Sequence, residues 1–152
     1  MWQVKLADFS DPQVLALLRV HLEAMQEHSP PESVHALDTS GLQKNDIRFY
    51  CVWEEGVLLG FGALRLLGAS VGELKSMRTH PSHTRRGVAR YLLEHILKAA
   101  AHEGCTRLSL ETGSGPAFEP ALALYRAYGF QHGAAFGGYT ATDFNQFMHR
   151  NL

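Results

Sequence analysis

The sequence predicts a mixed α/β (α+β) fold with a central, mostly antiparallel sheet flanked by helices, and three features carry that prediction. Ile47 to Trp53 and Val57 to Leu67 are apolar, strand-like runs joined by the tight Glu54-Glu55-Gly56 turn, so they form an antiparallel hairpin. From Val88 the apolar residues return at Leu92, Ile96 and Ala100, with Ala89, Leu93 and Leu97 beside them, which is the period of a helix with one buried face. That helix separates two further strand-like segments, Gly72 to Thr79 and Thr106 to Thr112, and a strand-helix-strand crossover joins parallel neighbours.

The remaining elements follow in chain order. Trp2 to Ala7 alternates as a first strand. Asp11-Pro12 has the form of an N-cap followed by proline at the first helical position, and Val14, Leu15, Leu17, Leu18, Leu22 and Met25 give the next helix its stripe. Ser29-Pro30-Pro31 ends it, because proline cannot continue the hydrogen-bond ladder. Glu32 to Leu37 is expected as a short helix and Thr39 to Asp46 as loop. The crossover helix is expected from Arg86 to about Glu103, with Gly104 as its stop. A second amphipathic helix spans Phe118 to Tyr128, Phe130 opens a return strand, and a last strand runs from Phe144 to His149. The total is six to seven strands and about four helices in one domain covering residues 1–152, with no internal repeat or linker.

Composition excludes several classes. Hydrophobic residues make up 45% and charged residues 19%, as in a soluble globular protein, and a formal charge of −1 gives no basic excess for sequence-independent nucleic-acid binding. Cys51 and Cys105 have no metal-like spacing, and buried, reduced thiols fit a reducing compartment. With no signal-peptide pattern and no apolar run of spanning length, the expected location is the cytoplasm, away from membranes.

Two stretches stand out chemically. Thr84-Arg85-Arg86-Gly87-Val88-Ala89-Arg90 opens the crossover helix, where the first amides have no carbonyl partner and sit at the positive end of the helix dipole. Such a terminus holds an anion, and Gly87 lets a phosphate approach the backbone. The strand Gly72-Glu73-Leu74-Lys75-Ser76-Met77-Arg78-Thr79 is central by chain order, yet simple alternation puts Glu73, Lys75, Met77 and Thr79 on one face and Leu74, Ser76 and Arg78 on the other. Neither face is cleanly apolar, so this strand is a candidate wall of a polar cleft.

Together with Leu124-Tyr125-Arg126-Ala127-Tyr128-Gly129-Phe130, these stretches resemble the GNAT superfamily of acetyl-CoA-dependent N-acetyltransferases over almost the whole chain. Ser29-Pro30-Pro31-Glu32-Ser33-Val34-His35-Ala36-Leu37, the Gly72 to Thr79 strand and Leu108-Ser109-Leu110-Glu111-Thr112-Gly113 resemble, more narrowly, the small bacterial YsnE-type acetyltransferases. Two positions depart from the wider pattern: Thr84 stands where a Gln or Arg usually begins the pyrophosphate turn, and Phe118 where many members carry asparagine. The resemblance implies a GNAT fold in which the two parallel strands splay apart around acetyl-CoA. It implies pantetheine contacts near Met77, Arg78 and Thr79, diphosphate contacts over Thr84, Arg85, Arg86, Gly87, Val88, Ala89 and Arg90, a cofactor contact at Tyr128, and a bulge near Met77.

Attack on a thioester requires a neutral amine, and an amine of pKa about 10.4 is neutral only to a few parts in ten thousand at pH 7, a deficit of roughly 4 to 5 kcal/mol. A carboxylate base relieves it. Glu73 lies 87 − 73 = 14 residues before Gly87, a placement resembling that of the histone-type members' base, and Glu111 on the neighbouring parallel strand is the alternative base or substrate-orienting group. Tyr125 matches the family's general acid. By the same analogy His28, Glu32, His35, Glu111, Tyr139 and Asp143 are candidates for the acceptor wall. His80 and His83 lack the Cys or acidic partners of a metal set, so no metal is expected. The expected reaction moves an acetyl group to a primary amine of a small molecule or protein. The rival reading is a non-catalytic acyl-CoA sensor, and a homodimer paired through the tail strand is an open possibility.

Overall fold

The computed structural model describes residues 1–33 and 38–152. The elements are β1 (Trp2–Leu6), α1 (Pro12–His28), α2 (Thr39–Leu42), β2 (Ile47–Glu54), β3 (Val57–Gly68), β4 (Val71–Thr79), α3 (Val88–His102), β5 (Arg107–Thr112), α4 (Glu119–Ala127), β6 (Gln131–His132) and β7 (Gln146–Asn151). The strands form one sheet in the order β1-β2-β3-β4-β5-β7-β6. Among the described residues only β4 and β5 run parallel; the other neighbours are antiparallel. The predicted mixed sheet with one parallel pair is therefore present, and α3 is its crossover.

Successive residues of β2 and β3 feed opposite faces of the sheet, as the pleat requires. Cys51, Phe61 and Ala63 pack with Val14, Leu17 and Leu18 of α1 and Leu42 of α2. Val52, Leu59 and Leu64 pack on the other side with Val88, Leu92, Leu93, Ile96 and Ala100 of α3 and with α4. Leu92, Leu93 and Ile96 are at most 1% exposed, and burial of side chains of this size contributes roughly 1.5 to 3 kcal/mol each. The stripe read for α3 is the face that is buried.

Helix α1 starts as predicted: Asp11 accepts a hydrogen bond from the Gln13 amide at 2.8 Å, with Pro12 at the first position. Its stripe needs correction. Leu15 is 39% exposed, whereas His21, one turn beyond Leu17, is 3% exposed. The segment expected as loop after Thr39 contains α2, because the Asp38 carboxylate accepts from the Gly41 amide at 2.8 Å and caps a short helix. Of the expected helix from Glu32 to Leu37, Pro31–Ser33 forms a 3-10 turn and residues 34–37 lie outside the described residues.

Element ends shift by one or two residues elsewhere, as hydrogen-bond patterns at ends commonly do. The return strand after Phe130 is only two residues long. The last strand begins at Gln146 instead of Phe144, since the Phe144 ring packs against Phe118 and the Asn145 side chain accepts from the Thr142 amide at 2.7 Å. The tail strand β7 lies between β5 and β6, with β6 pairing only its Met148 and His149.

Candidate active site

Parallel pairing between β4 and β5 covers Val71 to Leu74 and Arg107 to Leu110 and then stops, although β4 continues to Thr79 and β5 to Thr112. The strands part there, and the cleft between them, of about 200 Å3, is lined by both and by α1, α4 and the Tyr139 loop. A bulge accompanies the parting. Phe61 pairs with Arg78 and Ala63 with Lys75, so Gly62 alone faces Ser76 and Met77, and Ser76 takes a left-handed φ of 57°.

The bulge overturns the face assignment that alternation gave. A Cβ on Gly62 would lie 2.3 Å from the Met77 sulfur and 3.0 Å from Leu92, so Met77 joins Leu74 under α3. Arg78 turns to the α1 side, where its Nε donates to His21 Nδ1 at 3.0 Å. One extra residue thus leaves one face apolar and places Arg78 with the cleft-lining polar residues.

Glu73 is 1% exposed and its Oε2 accepts from the Tyr139 hydroxyl at 2.6 Å. Lys75 donates to the same hydroxyl at 3.0 Å and lies 3.8 Å from Glu73 Oε2. Among the described residues Glu73 Oε1 and Ser76 Oγ are buried without a hydrogen-bond partner. Buried polar atoms are almost always satisfied, so an open carboxylate oxygen lining a cleft marks a place where a ligand atom or water is received. Glu111 accepts from Asn145 Nδ2 at 3.3 Å. Burial lowers the Lys75 pKa, opposed by Glu73, and burial followed by the Glu73 charge raises that of Tyr139.

Tyr125, on α4, is 7% exposed and lines the same cleft. Burial raises its phenol to about 12, with the Arg78 charge pulling the other way, so the hydroxyl keeps its proton at neutral pH. Burial and then the Arg78 charge hold His21 down at about 3, so this imidazole is neutral and its Nδ1 accepts.

At the head of α3, Gly87 is the N-cap with φ 85° and no side chain caps the helix amides. Arg85 has φ 63°, and a Cβ on Gly87 would meet nothing within 4 Å. Open amides at a helix start with clear space above them suit a diphosphate. Thr84, Arg85 and Arg90 are exposed there. Arg86 is held elsewhere, donating to Glu54 Oε1 at 2.8 Å and lying over the Trp2 ring, and it is the least available of the arginines read from the turn. Tyr128 donates to Glu94 at 2.5 Å beside α3. His80 Nδ1 accepts from the Ser82 amide, which gives that histidine a turn-capping contact.

The structure gathers Glu73, Met77, Arg78, Glu111, Tyr125, Tyr139 and His28 around one cleft. Glu32 and Asp143 are exposed and do not line it, and His35 lies outside the described residues. Sequence reading missed His21 and Lys75. The available signal for His21 was its spacing of four from Leu17, which puts it on the buried stripe. For Lys75 it was the shared strand face with Glu73, but its contact with Tyr139, 64 residues away, had no local signal.

A mixed sheet with one splayed parallel pair, an uncapped helix head at its end and a buried carboxylate and tyrosine in the gap define an acyl-CoA-dependent transferase architecture. Residues 14–130 match the Acetyltransferase (GNAT) family. The chain belongs to that family and is by class an acetyl-CoA-dependent N-acetyltransferase. It is 45% identical to the uncharacterized N-acetyltransferase YsnE of Bacillus subtilis over 98% of this chain and 99% of that one, which bears out the narrower resemblance. It is 43% identical to the uncharacterized N-acetyltransferase YedL of Escherichia coli, covering 100% and 96%. The crystal structure of a Klebsiella pneumoniae protein named as an acyl-CoA N-acyltransferase superposes with a TM-score of 0.83 at 28% identity, covering 100% and 98%. A Thermoplasma acidophilum PaiA N-acetyltransferase, solved with coenzyme A, shares the fold with a TM-score of 0.75 at 16% identity, covering 100% and 99%. No helix among the described residues is long and apolar enough to cross a membrane.

Proposed function

We propose that the protein transfers an acetyl group from acetyl-CoA directly to a primary amine, with Glu73 as the base and Tyr125 as the acid. The observation that carries this reading is that the strand pair parts beyond Leu74 and Leu110, and the gap is lined by Glu73, whose Oε1 has no partner among the described residues, and by the Tyr125 phenol. The diphosphate of the donor takes the α3 head, where Gly87 and the uncapped amides supply backbone donors and Arg85 and Arg90 add charge.

Glu73 takes the amine's proton, directly or through one water, which meets the deprotonation deficit of a cationic amine. Its burial beside Tyr139 and Lys75 keeps its orientation, and its second oxygen is left for the incoming amine. Glu111, held by Asn145, orients the amine. Attack forms the N–C bond and leaves the adduct's nitrogen positively charged; on collapse the C–S bond breaks with loss of the coenzyme A thiolate, and that nitrogen gives up its extra proton through water, restoring the Tyr125 hydroxyl. Tyr125 protonates the sulfur; a thiol leaves with a pKa of about 8.5, so this proton assists the step without being indispensable.

The test is free-thiol release from acetyl-CoA against a panel of amines and amino acids. Amine-dependent release that falls in Tyr125→Phe and in Glu73→Gln supports the reading. Tight acetyl-CoA binding with no release on any amine, protein acceptors included, replaces it with the sensor.

A further inference from the structure

Arg78 is a cation set into the cleft with no carboxylate in ion-pair contact among the described residues. Its side chain makes one hydrogen bond among the described residues, from Nε to His21 Nδ1 at 3.0 Å, and no carboxylate pairs with it. Arg78 is half-buried, and charges withdrawn from water are normally paired, so a guanidinium in a cleft whose terminal groups make no hydrogen bond among the described residues points to an anion supplied from outside. The arginine is also held in place. His21 is 3% exposed, its ring stands edge-on to Phe61 at 5.8 Å, and as a neutral acceptor it directs the guanidinium without cancelling its charge.

The anion this arginine awaits is not the donor's diphosphate. The bulge at Ser76 sends Met77 toward α3 and Arg78 toward α1, so Arg78 and the α3 head face opposite sides of the sheet. The cleft is consequently bipolar on the acceptor side: Glu73 and Glu111 lie toward the paired end of the strands and Arg78 toward the open end. Between them Met25, Phe118, Ala121 and Phe144 supply an apolar wall. A guanidinium with two terminal NH2 groups matches the two oxygens of a carboxylate. Lys75, a second cation of the cleft, is engaged by Tyr139 and Glu73.

We infer that the acceptor is an amine that also carries a carboxylate, and that Arg78 is the specificity-determining residue that receives it. This rests on the acetyltransferase reading of the same cleft.

The experiment compares kcat/KM for amino acids and their decarboxylated partners: glycine with methylamine, β-alanine with ethylamine, 4-aminobutyrate with propylamine, and phenylalanine with phenethylamine. The wild-type protein is expected to favour the acid by roughly 10- to 150-fold in at least one pair, the span of one charge-assisted hydrogen-bonded contact. In Arg78→Met that ratio collapses toward one, and in Arg78→Lys part of it survives; thermal unfolding confirms that both variants are folded. Equal rates within every wild-type pair, or a ratio unchanged in Arg78→Met, overturn the inference while amine-dependent thiol release leaves the acetyltransferase reading standing.

A second arm needs no turnover. 3-Phenylpropionate is titrated calorimetrically into the protein with coenzyme A present, and its Kd is expected to rise at least 10-fold in Arg78→Met. That rise without thiol release on any amine supports the carboxylate site and removes the transferase reading. Absence of both binding and release overturns both.

Discussion

Glu73 and Leu74 are neighbours in one strand and equally buried, at 1% and 2% exposed, yet they belong to two different environments. On the α3 side Leu74 and Met77 join a continuous apolar cluster with Leu92, Ile96 and Leu110. On the α1 side Glu73, Lys75 and Arg78 are covered by a tyrosine, a histidine and the walls of a cleft. The first face is held by area removed from water, and its residues can be exchanged for others of like volume. The second is held by specific hydrogen bonds between distant parts of the chain, and each buried charge there depends on a named partner. A strand central to the sheet thus serves as core on one side and as the polar wall of a cleft on the other.

That contrast can be broken from either face. Glu73→Gln removes the proposed base while keeping its shape, and kcat/KM with the best amine is expected to fall about 10²- to 10⁴-fold; the melting temperature falls as well, because Lys75 loses its buried carboxylate partner. Leu74→Ala acts on the other face: the deleted methyl groups and the residual cavity should lower stability by about 2 to 5 kcal/mol in urea unfolding. A loss of activity without loss of stability in Leu74→Ala would show that the two faces are not separate in this way.

His21 gives the polar face a pH signature. Burial takes its pKa from the ordinary 6.5 to about 3, so the unfolded chain binds this proton first as pH falls. The contribution is complete above pH 6.5 and is lost progressively toward pH 3. Between pH 7 and pH 5 this residue alone is expected to cost about 2 kcal/mol of unfolding free energy, and His21→Gln should lose correspondingly less over the same interval.

The smallest effects sharpen the bulge. A Cβ at Gly60 would lie 2.8 Å from the Arg78 carbonyl oxygen, which is backbone, whereas at Gly62 the first obstacle is the Met77 sulfur, the flexible end of a side chain. Gly60→Ala is therefore expected to cost about 1 to 3 kcal/mol and to shift the bulge, and Gly62→Ala less than about 1 kcal/mol as Met77 moves aside. Comparable costs at the two sites would mean that Met77 is as rigid as the strand behind it.

Much of the fold was legible because local rules agree. Asp11-Pro12 caps α1, the hairpin turn follows two apolar runs, and α3 buries the stripe read from Val88 onward. The site was legible in part. Glu73, Glu111, Tyr125 and Tyr139 do line one cleft, but Glu32 does not, and His21 and Lys75 went unread. His21 reads as an ordinary helix residue until one sees that its ring lies under Arg78, and Arg78 reaches it only because of one extra residue at Ser76. Alternation is a rule for regular strands, and a bulge reverses it downstream.

The sequence by itself determined the elements, their order, the parallel crossover and the glycine-led, uncapped start of α3, since these depend on periodicity, capping and turn chemistry within a few residues of one another. Only the tertiary structure decided which face Arg78 takes, that the tail strand lies inside the sheet, and that Tyr139 closes over Glu73 and Lys75 from 66 and 64 residues away. Those contacts form when distant segments pack together, and their geometry is set by where the two parallel strands stop pairing.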